Sequence, residues 1–190
     1  EFPEKYHSVG SFNINDGVRN SQNTTYSDFV GNLLCQNARN NPHICAITAA
    51  MCDGTGLAQF SQEFPSRFFD VGIAEEHAIT FASGLSLNGM IPVVFLYSTF
   101  VQRSYDQLLH DIAIQKTPLV LMLDRAGVVP NDGITHQGIF DISMMRPVPN
   151  LALLAPASSA ELYSSLEWAV NQKLSVVIRY PKMSCPPEED

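Results

Sequence analysis

Phe68-Phe69-Asp70-Val71-Gly72-Ile73-Ala74-Glu75-Glu76-His77 is the stretch that decides the fold. It opens with a short apolar run, turns at Gly72 and continues in a helical pattern. The pattern therefore predicts a strand followed by a helix, with Glu75 in the first helical turn. Binding sites in open parallel sheets lie at the carboxyl ends of strands, so Glu75 is a candidate site residue. Position alone favours the simpler interpretation, in which Glu75 is an acidic first-turn residue that complements the helix dipole. The apolar helical face consists of Ala74, Ala78, Phe81, Ala82 and Leu85.

Similar strand and helix patterns alternate on both sides of this stretch. Such alternation is typical of an α/β fold, in which helices cover both faces of a mostly parallel, twisted, six-stranded sheet. Ser158 with Glu161 resembles a capping box, as does Thr25 with Asp28. The predicted strands cover residues 44–50, 68–71, 92–97, 119–123, 151–154 and 175–180, and the predicted helices cover 25–41, the Glu75 segment, 101 to about 115, and a segment that starts at 158.

Composition excludes several classes of protein. The chain has 190 residues, of which 45% are hydrophobic and 16% charged, and this is typical of a globular protein. Its net charge of −8 argues against a nucleic-acid partner. Signal-peptide and membrane-spanning patterns are missing from the sequence, so we expect no membrane partner and a cytoplasmic location, or a plastid one in a plant or alga. The cysteines have no ligand spacing with histidine, so we expect reduced thiols and no metal ligands.

The ends of the chain suggest a piece of a longer polypeptide. It starts at Glu1 and finishes in the proline-rich, acidic segment 185–190. We expect residues 1–24 to form an extended arm, 25–182 an α/β domain, and 183–190 a linker to a further C-terminal domain.

Asp53-Gly54-Thr55-Gly56 follows the first predicted strand and has two interpretations. The Gly-x-Gly spacing allows close approach of the backbone to a ligand, and it also suits a tight turn. Because a third glycine is missing, the pattern favours the turn and leaves the ligand open.

Several segments resemble, in order and spacing, the pyrimidine-binding domain of the 1-deoxy-D-xylulose-5-phosphate synthase family. This family belongs to the thiamine-diphosphate-dependent transketolase superfamily, and the resemblance extends over nearly the whole chain. The segments are Tyr6-His7-Ser8-Val9-Gly10, Phe69-Asp70-Val71-Gly72-Ile73-Ala74-Glu75, Tyr97-Ser98-Thr99-Phe100-Val101-Gln102-Arg103-Ser104-Tyr105-Asp106-Gln107, His110-Asp111-Ile112-Ala113-Ile114-Gln115-Lys116, Asp124-Arg125-Ala126-Gly127, Asp132-Gly133, Thr135-His136-Gln137-Gly138 and Arg179-Tyr180-Pro181.

The resemblance implies a fold, a reaction and partners. The fold is the thiamine-diphosphate-binding pyrimidine domain of transketolases. The reaction joins pyruvate, after loss of carbon dioxide, to glyceraldehyde 3-phosphate, and its product feeds isoprenoid biosynthesis. The cofactors are thiamine diphosphate and Mg²⁺, and in the family a preceding domain holds the metal. We therefore expect the chain to carry half of a site, to be inactive alone, and to work with the missing domains of its polypeptide in a homodimer.

The resemblance also assigns residues to the cofactor. Glu75 matches the catalytic glutamate that hydrogen-bonds a ring nitrogen of the aminopyrimidine. Phe100 matches the aromatic residue that stacks on this ring, and Arg103 matches an arginine near the cofactor pocket. Without the resemblance, the sequence favours a core position for Phe100.

A second set of residues is assigned to the substrates. Arg125 and Arg179 match a pair that grips the phosphate of glyceraldehyde 3-phosphate, since two guanidinium groups suit a phosphate monoester. Tyr97 matches a hydroxyl donor beside them. Asp132 and His136 match loop residues near the acceptor, where His136 is a candidate for donating to substrate oxygens or moving a proton. Taken singly, these residues also fit surface ion pairs and a structural histidine.

The sequence departs from the family pattern at three positions and leaves other functions open. Glu76 stands where glutamine is common, Pro130 replaces a glycine, and Ile134 replaces a polar residue. An alternative function is the small subunit of a split transketolase or 2-oxo-acid dehydrogenase. A further alternative is a non-catalytic binding or dimerisation module that kept the fold.

Overall fold

A single parallel sheet forms the centre of the computed structural model, which describes residues 14–15, 24–130 and 132–185. The strand order is β2-β1-β3-β4-β6-β5, and every neighbouring pair is parallel. The predicted fold class is thus confirmed, and each predicted strand is present within two residues of its expected bounds. The strands are β1 (Ile44–Thr48), β2 (Phe68–Asp70), β3 (Ile91–Tyr97), β4 (Val120–Asp124), β5 (Leu151–Leu154) and β6 (Ser175–Arg179).

Helices cover both faces of the sheet. Alternate residues of each central strand point to opposite faces. In β3, Val93 and Phe95 join a core with α1 and α6, whereas Val94 and Leu96 join a core with α3. Because both faces are covered, β1 and β4 are buried along their whole length. The α-helices are α1 (Tyr26–Asn40), α2 (Ala58–Glu63), α3 (Glu75–Leu87), α4 (Tyr105–Gln107), α5 (Asp141–Met145) and α6 (Ser159–Ala169).

The first helix starts at the predicted capping box. The Thr25 hydroxyl accepts from the Asp28 N–H at 3.2 Å, and the Thr25 N–H donates to Asp28 Oδ2 at 2.9 Å. The box predicted for α6 is half formed. Ser158 Oγ accepts from the Glu161 N–H, but Glu161 Oε2 accepts from the N–H of Ala157, one residue before the cap.

Replacing the first cap tests how much it stabilises the domain. We expect Thr25→Ala to lower the free energy of unfolding by about 1 kcal/mol, because a free helix N–H loses its acceptor. Urea unfolding of the chain measures this change. Thr24→Ala serves as the control, since the Thr24 side chain is exposed. Equal unfolding midpoints for the two variants would show that the cap contributes nothing.

The predicted helix from residue 101 to about 115 is present from Val101 to Ala113, but it is not a regular α-helix. The segment begins as a 3₁₀-helix (Val101–Ser104), passes through α4, and ends as a π-helix (Leu108–Ala113). The tertiary contacts of Asp111 account for the wide turn. Its main-chain carbonyl accepts from Ser83 Oγ at 2.9 Å, and its carboxylate accepts from Thr80 Oγ1. Both partners lie on α3, so packing against this helix overrides the α-helical pattern.

The two ends of the described domain lie side by side. The Cys185 N–H donates to the Thr24 carbonyl at 2.8 Å, and the Tyr26 N–H donates to the Met183 carbonyl at 3.1 Å. Most of the predicted arm 1–24, including the matching segment Tyr6–Gly10, lies outside the described residues. Among the helices that the structure describes, none is long and apolar enough to cross a membrane.

Candidate functional site

Glu75 begins α3 beside the carboxyl end of β2. The chain reaches it through Gly72, whose φ of +73° is a left-handed conformation that suits glycine. Asp70 Oδ1 fixes this turn by accepting from the N–H groups of Gly72 and Ala50 at 3.0 and 2.8 Å. The Glu75 side chain is 2% exposed, whereas Glu76 next to it faces solvent. The strand, the turn and the helix predicted from the sequence are confirmed here.

The Glu75 carboxylate has one satisfied and one free oxygen. Oε1 accepts from Arg103 Nη1 at 2.8 Å. Oε2 is buried and has no hydrogen-bond partner in the part of the chain that the structure describes. Buried carboxylate oxygens are nearly always hydrogen-bonded, because leaving one unsatisfied costs about 1–3 kcal/mol. The free oxygen is therefore suited to a ligand that brings a donor, such as a heteroaromatic ring with a protonated nitrogen.

Arg103 joins this carboxylate to an aromatic group. Its guanidinium carbon lies 4.8 Å from the centroid of the Phe100 ring. Phe100 in turn makes an edge-to-face contact with His136, with ring centroids 5.5 Å apart. Thr135 Oγ1 lies 2.7 Å from His136 Nδ1. These contacts bring the residues assigned to the cofactor next to the loop histidine assigned to the acceptor.

Tyr97 and Arg125 form a stacked pair at the ends of β3 and β4. The Arg125 guanidinium carbon lies 3.9 Å from the Tyr97 ring centroid, and the other neighbour of this ring is Phe100 at 5.8 Å. Burial raises the pKa of Tyr97 to about 12, although the charge of Arg125 opposes the shift. The hydroxyl therefore stays protonated at neutral pH and can donate a hydrogen bond.

Asp132 holds two cationic side chains at the rim of the sheet that the carboxyl ends of β3 and β4 form. Its Oδ2 accepts from Arg125 Nη1 at 2.8 Å, and its Oδ1 accepts from Lys182 Nζ at 2.6 Å. Burial works to raise the pKa of Asp132, but the hydrogen bonds from Lys182 and Arg125 outweigh it and keep the pKa below its ordinary value. The sequence analysis missed Lys182. A basic residue three positions after the last strand of a parallel sheet was the available signal.

Arg179 lies at the same edge of the sheet and has a separate partner. It pairs with Leu123 in the register of β6 and β4. Its Nε donates to Asp141 Oδ2 at 2.8 Å, and the Asp141 side chain is fully buried. Sequence reasoning missed Asp141, because α5 is too short to show a helical pattern. Arg179 is therefore held by Asp141 of α5. The other predicted site residues are linked to one another by direct contacts.

The loop after β4 is closed on itself in spite of its unusual residues. Gly127 and Gly138 exchange backbone hydrogen bonds of 2.7 and 2.9 Å. Gln137 crosses the loop, since its Oε1 accepts from the Val129 N–H at 2.7 Å and its Nε2 donates to the Gly133 carbonyl at 2.6 Å. Ile134 is 97% exposed. This replacement therefore changes the surface of the loop and none of these bonds.

Asp124, the last residue of β4, is a buried carboxyl group directly before Arg125. Its Oδ2 accepts from Ser27 Oγ of α1 at 2.6 Å, and the side chain is fully buried. Burial raises the pKa of Asp124 to about 6, against the lowering effects of Ser27 and Arg125. The group that precedes Arg125 is therefore costly to ionise in the folded chain.

Stability should fall with rising pH because of Asp124. Its folded pKa of about 6 exceeds the ordinary value of 3.8, so between these values the folded chain binds more protons than the unfolded chain. The contribution is complete below pH 3.8 and is lost as the pH rises through 6. We expect the unfolding free energy, relative to Asp124→Asn, to fall by about 2 kcal/mol from pH 4 to pH 7. Urea unfolding of both proteins from pH 4 to pH 7 measures this difference. Parallel pH profiles of the two unfolding free energies would contradict the prediction.

Across residues 24–130 and 132–185, no three histidine, cysteine, aspartate or glutamate side chains come together in a way that could hold a metal ion.

Comparison with known sequences identifies the family. Residues 22–187 match the family described as "Transketolase, pyrimidine binding domain". The chain belongs to this family. Its strand and helix arrangement also matches that of solved transketolases, including the enzyme of Campylobacter jejuni, with a TM-score of 0.75 at 18% identity over 94% of this chain and 29% of that one. A split-gene transketolase, described as an inactive β4 tetramer, matches with a TM-score of 0.76 at 29% identity over 87% of this chain and 54% of that one.

The chain is also similar in sequence to 1-deoxy-D-xylulose-5-phosphate synthases. It is 52% identical to that of Treponema pallidum (strain Nichols) over 99% of its length. It is 53% identical to that of Clostridium acetobutylicum over 96% of its length. The chain spans about 30% of the length of these relatives.

Proposed function

We propose that the chain is the pyrimidine-binding domain of a thiamine-diphosphate-dependent synthase. The synthase condenses decarboxylated pyruvate with glyceraldehyde 3-phosphate to give 1-deoxy-D-xylulose 5-phosphate, an isoprenoid and thiamine precursor. Identity above 50% to synthases of this name supports the proposal. The observation that carries it is the buried, unpartnered Oε2 of Glu75 at the carboxyl edge of the sheet, because this oxygen needs a donor that the ring of thiamine diphosphate would bring.

The chain's own residues fit the ring of this cofactor. Glu75 would share a proton with a ring nitrogen through Oε2, while Arg103 keeps Oε1 in place. Phe100, half-buried beside Arg103, offers an aromatic surface on which a pyrimidine can stack. When bound, thiamine diphosphate supplies the carbanion chemistry that releases carbon dioxide and forms the new carbon–carbon bond. The protein then positions the ring and controls the proton at Glu75.

The second part of the site would take the phosphorylated acceptor. Arg125 and Arg179 carry guanidinium groups at the ends of neighbouring strands, and Tyr97 keeps a protonated hydroxyl beside Arg125. Such donors bind a phosphate monoester by charge-assisted hydrogen bonds, which local cations must provide in a chain of net charge −8. His136 and Asp132 would lie near the aldehyde end, where His136 could donate to an oxygen or move a proton.

The proposal extends to parts that the chain does not include. Because the relatives are about three times longer, we infer that further domains of the same polypeptide complete the site. We propose that those domains bind Mg²⁺ and that the complete polypeptide forms a homodimer in the cytoplasm. The isolated chain is then inactive. It follows that this chain contributes half of a composite site.

Assay of the full-length polypeptide tests the proposed function. Purified protein is mixed with pyruvate, glyceraldehyde 3-phosphate, thiamine diphosphate and Mg²⁺, and the sugar phosphate product is identified by mass spectrometry. We expect 1-deoxy-D-xylulose 5-phosphate from the full-length protein and none from residues 1–190. Absence of this product from correctly folded full-length protein would overturn the proposal.

A split transketolase subunit is the second candidate. The structural likeness to a split-gene transketolase favours it, but the identity of 29% is well below the 52–53% shared with the synthases. Ketol transfer from xylulose 5-phosphate to ribose 5-phosphate, without any use of pyruvate, would support this candidate instead.

A further inference from the structure

The glycine turn 53–56 lies between α1 and the stacked pair of Tyr97 and Arg125. On the α1 side it has no room to move. A Cβ atom on Gly31 of α1 would overlap the Gly56 carbonyl oxygen, and one on Gly56 would overlap the Ser27 carbonyl oxygen. Gly56 also has a φ of +75°, so two properties of glycine are used at this position. The turn is therefore packed directly against the backbone of the first helix.

Hydrogen bonds make the turn rigid as well as tightly packed. The Thr55 N–H and hydroxyl both donate to the Met51 carbonyl, at 3.0 and 2.8 Å. The N–H groups of Gly56 and Leu57 donate to the carbonyls of Asp53 and Cys52 at 3.1 and 2.9 Å. Thr55 is fully buried. The turn thus forms a fixed wall, because its packing and hydrogen bonds restrict its movement.

The stacked pair of Tyr97 and Arg125 lies on the other side of this turn. A Cβ atom on Gly54 would overlap the hydroxyl oxygen of Tyr97, and it would lie 3.0 Å from Tyr97 Cζ and 3.5 Å from Arg125 Nη2. The Tyr97 ring is also held by its neighbours, since it stacks with the Arg125 guanidinium at 3.9 Å and with the Phe100 ring at 5.8 Å. The missing side chain at Gly54 therefore creates the space in which the Tyr97 hydroxyl lies.

We propose that Gly54 is a positioning residue for phosphate recognition. By leaving this space empty, it sets where the Tyr97 hydroxyl and the Arg125 guanidinium are held relative to a phosphorylated acceptor. The inference rests on the proposed function, because it assigns Tyr97 and Arg125 to the acceptor. It also explains the Gly-x-Gly pattern. Gly56 serves packing against α1, and Gly54 serves the site, so the turn predicted from the sequence is also part of the wall of the site.

The test compares phosphorylated and unphosphorylated acceptors in the full-length enzyme. We expect Gly54→Ala to lower the preference for glyceraldehyde 3-phosphate over glyceraldehyde, measured as the ratio of kcat/KM values, by about tenfold or more. Gly84→Ala is the matched control, because a Cβ at Gly84 meets nothing within 4 Å. Unequal losses with the two acceptors separate phosphate positioning from general damage, which would lower both equally.

A double-mutant cycle tests the steric cause without relying on activity. Tyr97→Phe removes the oxygen that an alanine at position 54 would overlap. We therefore expect Gly54→Ala to lower the unfolding midpoint clearly less in the Tyr97→Phe background than in the wild-type chain. Equal losses in both backgrounds, or an unchanged acceptor preference in an active Gly54→Ala enzyme, would overturn the inference. An inactive wild-type enzyme would instead overturn the proposed function, so the two failures are distinguishable.

Discussion

Replacing Glu75 with glutamine should lower kcat/KM for the condensation by about 10²–10⁴, the usual range for a lost proton-transfer group. Glutamine keeps an oxygen that can accept from Arg103, and it fits the same buried volume. Glutamine cannot exchange a proton with a ring nitrogen, because a side-chain amide neither gains nor loses a proton at any working pH. The full-length enzyme at saturating thiamine diphosphate and Mg²⁺ is the material, and product formation is the measurement.

The neighbouring residue provides the control. Glu76→Gln makes the same chemical change one position later, on an exposed side chain of the same helical turn. We expect it to leave kcat/KM nearly unchanged. Unfolding midpoints for both variants show whether the fold is intact. If Glu75→Gln keeps more than a tenth of the wild-type activity while it remains folded, the carboxyl group at position 75 has no proton to transfer.

The strands of this domain were predictable because their signal is local. Runs such as 119–123 are apolar without interruption, as expected for a strand covered on both faces. The capping box at Thr25 is likewise written in four consecutive residues. By contrast, α2 and α5 contain six and five residues, too few for a helical period to be visible. The π-helical turn at Leu108–Ala113 follows from contacts with α3 and has no local signature.

The site was predictable as a set of residues and not as a set of contacts. A resemblance names Glu75 and Arg103, but only the fold brings them together across 28 residues of sequence. The pairs Arg179–Asp141 and Lys182–Asp132 are separated by 38 and 50 residues. Asp141 and Lys182 belong to no motif, so sequence reasoning could not single them out. What each cation does at the rim therefore depends on partners that the sequence leaves unidentified.

Arg125 is the cation whose loss should weaken acceptor binding most. We expect Arg125→Met in the full-length enzyme to raise KM for glyceraldehyde 3-phosphate about 10- to 100-fold, because a charge-assisted hydrogen bond contributes about 1.5–3 kcal/mol. Its Nη1 is bound to Asp132, but Arg125 also stacks on Tyr97 and reaches the wall at Gly54. The measurement is KM for the aldehyde phosphate at saturating pyruvate. Lysine should restore binding only in part, since it lacks the planar fork.

Two comparisons separate phosphate binding from loss of a structural ion pair. Arg146→Met removes an exposed arginine and should leave KM unchanged. Asp132→Asn breaks the ion pair and keeps the guanidinium, so it should change KM less than Arg125→Met does. The contrary result is that Arg125→Met and Asp132→Asn raise KM equally, for unphosphorylated glyceraldehyde as well as for glyceraldehyde 3-phosphate. That result would show that Arg125 maintains the loop and does not bind phosphate. Arg179, held by buried Asp141 at the end of the adjacent strand, would then be the remaining predicted arginine able to bind the phosphate.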